Sequence, residues 1–202
     1  MNSLEDLLGS AAGEFAREQI SQNLGADNST VNNAIQIALP AILGGLKNNA
    51  SDPQGAASLE EALSNDHDGS LLDHLGDYLQ GGVPSPAQAD RQTDGTGILG
   101  HILGNASSPV AKEISNRTGL NAGQAANLLI TLAPIVMSYL GKQKREKEVD
   151  AGGLSDLIEG RGGLEAASGG SILDLATGAL DSDRDGSALD DLASMAADYF
   201  MK

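Results

Sequence analysis

In the stretch Val31 to Leu46, VNNAIQIALPAILGGL, apolar residues fall at Val31, Ile35, Ala38, Leu39, Ile42, Leu43 and Leu46. Spacings of three and four predict a helix with a wide apolar face, not a strand. The arrangement returns in Ala125 to Leu140, AANLLITLAPIVMSYL, with Leu128, Leu129, Leu132, Ile135, Val136, Tyr139 and Leu140. This copy is apolar nearly all round, which predicts burial among other helices. At 16 residues each and interrupted by proline, both segments read as too short for a bilayer span. Proline inside a helix removes a backbone donor and clashes one turn back, at about 3 kcal/mol. A kink or break is therefore expected at Pro40 and at Pro134.

The two prolines stand 94 positions apart, and other matches keep that distance: Ile20-Ser21 with Ile114-Ser115, Gly25 with Gly119, and Asn33 with Asn127. One residue of slip matches Leu4, Leu7, Leu8 and Gly9 with Leu99, Ile102, Leu103 and Gly104. Downstream, DHDGS from Asp66 matches DRDGS from Asp183 at an offset of 117, which places a 23-residue insertion in the glycine-rich tract from Gly152 to Gly178. The pattern implies an internal duplication whose copies pack together. The expected organisation is a first helical repeat over residues 1–82, a Pro/Gly/polar linker over 83–97, and a second repeat over 98–202.

Serine followed three residues later by an acid recurs at Ser3/Asp6, Ser58/Glu61, Ser70/Asp73, Ser171/Asp174 and Ser187/Asp190. Each reads as a helix start, with Asp a weaker form of the capping box. Between them the pattern predicts helices over Glu14 to Asn23, Leu59 to Leu63 and Leu71 to Leu79. Asp27 to Thr30 supplies caps for the first proline helix, and VPSPAQADRQTDGT from Val83 reads as linker. The run KQKREKEVD after Gly141 reads as an exposed helix end, its cations complementing the dipole.

Only two Phe and three Tyr are present, so the core must come from Leu, Ile, Val and Ala. With few strand-favouring runs the fold class is all-α, two pseudo-repeated bundles of short helices, each around a proline-containing apolar helix. Absence of cysteine excludes disulfides and zinc-thiolate sites. A net charge of −16 opposes nucleic acid and anionic membranes and favours divalent cations. The start, MNSLEDLLGS, has neither a basic n-region nor a long apolar h-region, so a cytoplasmic location is expected.

The strongest chemical motif runs from Asp181 to Asp191. Asp181, Asp183 and Asp185 stand at positions one, three and five of a calcium loop, with Gly186 at six and Ser187 at seven. Position twelve is Leu192 where a bidentate Glu belongs, so Asp190 or Asp191 would have to substitute. The competing explanation is an Asp-Gly turn feeding a capped helix. The first-half counterpart has Asp66, Asp68, Gly69, Ser70 and Asp73, with Ser64 in the first ligand position. Gly95, Gly97 and Gly100 fit GxGxxG, but a polar linker precedes them where a strand is required, so they read as a flexible helix entry. His67, His74 and His101 are the only histidines, and His67 with His74 lacks the helical spacing of a zinc pair. No nucleophile motif, phosphate loop or matched acid/base pair is present, so the chain reads as non-enzymatic.

The runs ALSNDHDGSLLDHLGDYLQGG, DGTGILGHILG and TGLNAGQAANLLITLAPIVMSYLG together resemble the bacterial domain-of-unknown-function family 937, the YidB-like proteins, roughly from Leu4 to Leu140. The resemblance implies a cytoplasmic, helical bacterial protein and brings no catalytic residues. Two functions remain in view: a structural protein whose partner is itself, as a homo-oligomer, and a calcium-responsive interaction module using the Asp181 loop.

Overall fold

The computed structural model describes residues 11–81 and 89–158, all of it helix and connecting turn. In chain order the helices are α1 (Ala11–Leu24), α2 (Asn28–Ala50), α3 (Pro53–Asn65), α4 (Ser70–Asp73), α5 (Leu75–Leu79), α6 (Ala89–Thr93) and α7 (Gly95–Leu103). A 3-10 turn (Gly104–Ala106) leads into α8 (Ser107–Thr118) and α9 (Ala122–Glu146), and a second (Ala151–Gly153) leads into α10 (Leu154–Ile158).

The hub is α9. Every residue from Leu132 to Gly141 is buried, as expected for a helix apolar nearly all round. It packs against α8, α7, α2 and α3, and reaches α1, α4, α6 and α10 along its length. In α2 the buried set is Val31, Ala34, Ile35, Ala38, Ile42, Leu43, Leu46 and Ala50, one face of a 3.6-residue period. Of the apolar positions read from the sequence in that copy, Leu39 alone is only half-buried. The two proline-bearing helices meet inside one apolar cluster fed by both halves of the chain.

Neither proline breaks its helix. Pro40 lies inside the 23 residues of α2 and Pro134 inside the 25 residues of α9. At Pro134 the missing N–H removes the helical donor for the Ile130 carbonyl. The first residue of α7 packs there: a Cβ on Gly95 would collide with Ile130 O. The longer helices also correct the length reading. α9 is long and apolar enough to cross a bilayer, but 67% of its most apolar window is buried within the protein.

Equivalent signals shape the entries to α2 and α9. Gly25 and Gly119 both take positive φ, 62° and 82°, the left-handed conformation that ends a helix and favours glycine. Asp27 caps α2 by accepting from Thr30 N at 2.9 Å. Asn121 caps α9 in a full capping box: it accepts from Gln124 N, and Gln124 Oε1 accepts from Asn121 N, both at 2.9 Å. Gln124 Nε2 then donates to the Leu24 carbonyl at 2.7 Å, joining the end of α1 to the start of α9. Ile20 and Ile114, also 94 apart, are both buried.

Several expected helix starts are displaced. α3 begins at Pro53, not Ser58, because Asp52 caps Gln54 N and Gly55 N and proline occupies the first helical turn. Ser70 is not a cap; Gly69 (φ 93°) precedes α4, and Ser70 donates instead to Asp68. The single helix expected over Leu71 to Leu79 is two short ones parted at His74. Gly95, Gly97 and Gly100 lie within α7 itself, behind the Asp94 cap, and not in a flexible entry. Part of the expected linker is helical, as α6.

Candidate functional site

Two features draw polar side chains together: the Asp66–Ser70 loop and a cleft beside it. The loop lies on the C-terminal third of α9 because Gly141 presents no side chain to it. A Cβ there would collide with the His67 carbonyl and lie 3.0 Å from Leu63 O. Cations from the end of α9 then meet acids of α3 and the loop. Arg145 stands 3.7 Å from Asp68, and Lys144 stands 3.5 Å from Glu60 while donating to Ser64 Oγ at 3.0 Å. From α6, Arg91 stands 3.9 Å from Asp66, and Gln92 Nε2 donates to Ser70 Oγ at 3.2 Å.

These partners change the reading of the first-half loop. Its oxygens are engaged by protein cations and by Ser70, and no group of three or more His, Cys, Asp or Glu that could hold a metal occurs among the described residues. Hydrogen bonds from the Ser70 hydroxyl and N–H, with Arg145 nearby, hold the Asp68 carboxyl below the usual carboxylate range. The KQKRE run is thus tied to the loop and is more than a solvated helix end. The stronger calcium candidates, Asp181, Asp183, Asp185, Ser187, Asp190 and Asp191, lie outside the described residues.

The cleft encloses about 710 Å3. Its apolar wall comes from Leu46 of α2, Leu59 of α3, Ile98 and Ile102 of α7, and Met137 of α9. Its polar side brings Asp66 and His67 together with Arg91, Asp94 and His101. Asp94 uses one carboxylate oxygen to accept from Gly97 N at 2.9 Å, and Asn49 Nδ2 donates to the His101 carbonyl at 2.8 Å, holding α2 to α7. His67 is only 3% exposed, and its Nδ1 has no hydrogen-bond partner. Burial pushes its pKa down to about 4, against the opposing pull of Asp66 and Asp68, so the ring is neutral at pH 7.

Of the three histidines, the fold gathers His67 and His101 at this cleft, while His74 is exposed and 3.9 Å from Asp77. Sequence reasoning missed Arg91, Asp94, Asn49 and Met137. They come from three helices and the Asp94 cap of α7, and no spacing along the chain announces a site assembled only by tertiary approach. His67 carried a faint signal, as the one imidazole in an Asp-Gly loop.

No curated protein and no solved structure matches the chain at a significant level. The model of one family, described as bacterial protein of unknown function (DUF937), matches residues 6–143. That range holds the loop, the cleft and nearly all of the hub helix, and it spans most of the sequence. The chain belongs to the bacterial family of unknown function DUF937.

Proposed function

We propose that this is a non-enzymatic structural protein that assembles with copies of itself. The observation that carries the reading is the correspondence of α1–α2 with α8–α9. Helix-ending glycines, cap residues, buried isoleucines and internal prolines all recur 94 positions apart. A duplicated unit with unlike outer surfaces favours head-to-tail contacts, which close into rings or extend as filaments. The outer surfaces do differ. Phe15 on α1, 41% exposed, is the one exposed large hydrophobic among the described residues, and the equivalent position on α8 is Pro109.

Light scattering after size exclusion tests the proposal. Assembly gives a mass several times the 20.6 kDa of one chain, reduced by Phe15→Ser, with rings or filaments under the electron microscope. A 20.6 kDa particle at high micromolar concentration overturns it.

A second reading, a calcium-responsive interaction module, is supported by the Asp181-x-Asp183-x-Asp185-Gly186 spacing. On that reading calcium changes the mass or shape of the particle, and Asp183→Ala with Asp185→Ala abolishes the change without altering assembly in chelator. Absence of calcorimetric heat with millimolar calcium removes it.

A further inference from the structure

The cleft beside the His67 loop has the size and composition of a small-molecule site: a concave, largely apolar wall with a few converging polar groups. We infer that it binds a small amphiphile with an apolar body and an amine head, a ligand class separate from any self-assembly.

The body is set by Leu46, Leu59, Ile102 and Met137, apolar side chains that four helices bring to the cleft. The head is set by charge and hydrogen-bonding capacity. Asp66 and Asp94 face the cleft against a single guanidinium, Arg91, which is drawn to Asp66 at 3.9 Å. Asp94 spends one oxygen on the Gly97 N–H, leaving the other for a ligand donor. The balance repels a carboxylate or phosphate head and attracts an ammonium, in a chain whose net charge is −16.

His67 gives an independent observation. It lines the cleft, is almost wholly buried, and has a ring nitrogen with no partner. Buried polar atoms are nearly always hydrogen-bonded, so an unmatched one beside a cavity points to a missing ligand or water. Neutral imidazole carries one lone-pair acceptor, which suits an ammonium, a pure donor.

Isothermal titration of the full chain with decylamine and decanoate, each below its micellar concentration, tests the inference. Decylamine is expected to bind saturably, one per chain, and at least about tenfold more tightly than decanoate. Ser58→Trp, an exposed position on the cleft lining, should plug the cleft and abolish that binding while circular dichroism stays unchanged. Asp94→Asn keeps a competent helix cap and should weaken decylamine by roughly tenfold. Three results would each overturn the assignment: no saturable heat, decanoate binding as tightly as decylamine, or a Ser58→Trp protein that binds as before. The last separates the cleft from loose attraction of amines to an acidic surface.

Discussion

Gly141 of α9 runs directly over the main-chain carbonyl of His67, an approach open to glycine alone, since a Cβ at that point would overlap the carbonyl oxygen. Backbone stands on both sides of the contact, so neither partner can turn aside. Gly141→Ala should therefore destabilise the fold. Overpacking costs about 1–3 kcal/mol or more, against about 1 kcal/mol gained from helix propensity. Urea denaturation followed by circular dichroism should show a lower midpoint, and an unchanged one would contradict the contact.

Neighbouring glycines in α2 should respond in opposite directions. Nothing lies within 4 Å of a Cβ on Gly44, whereas one on Gly45 would stand 2.7 Å from Ile102 O and 2.8 Å from Leu103 Cδ2. Gly44→Ala should stabilise by about 0.5–1 kcal/mol through backbone entropy alone. Gly45→Ala should destabilise by about 1–3 kcal/mol because α7 must move away. Thermal melts of the two variants, measured side by side, decide the matter by sign.

Acid should weaken the fold in a window set by His67. Its pKa is near 6.5 when unfolded and about 4 when buried, so the unfolded chain binds the proton first. Stability is then at its full value above pH 6.5 and declines as pH falls toward 4, by about 3 kcal/mol for this group. Below that, Asp68 and Asp27, whose carboxyls are lowered by hydrogen bonds, add a further loss on protonation. Folding free energies between pH 4 and 7 should flatten in His67→Phe. A wild-type curve already flat over that range would show that the ring is not buried as a neutral group.

Gln124 joins two jobs, completing the cap of α9 and donating to Leu24 O across a separation of 100 residues. Gln124→Ala should cost about 1–2 kcal/mol, and Gln124→Glu should recover the cap but lose the donor to Leu24. A double-mutant comparison with Asn121→Ala would show the two losses overlapping, because both remove the same box.

These contacts mark what could and could not be read from the chain. The apolar faces of α2 and α9 were legible because helical burial follows a local period. Asp27 and the glycines at 25 and 119 were legible for the same local reason. The start of α3 was mistaken although its signal was present: Asp52 before Pro53 is a stronger helix entry than Ser58 with Glu61. No break occurs at either proline, because a cost counted for an isolated helix is outweighed when the helix packs into a core. The cleft and the seating of His67 were illegible, since both depend on which backbones approach one another.

The position of the hub in the chain has a consequence for synthesis. The ten consecutive buried residues of α9, Leu132 to Gly141, leave the ribosome after all eight described helices α1 to α8. Until they emerge, α1, α2, α3, α7 and α8 can close on one another but lack the helix that completes the apolar cluster. The nascent chain therefore completes its apolar core only after most of it has been translated, and part of the earlier helices' apolar surface stays in water until then.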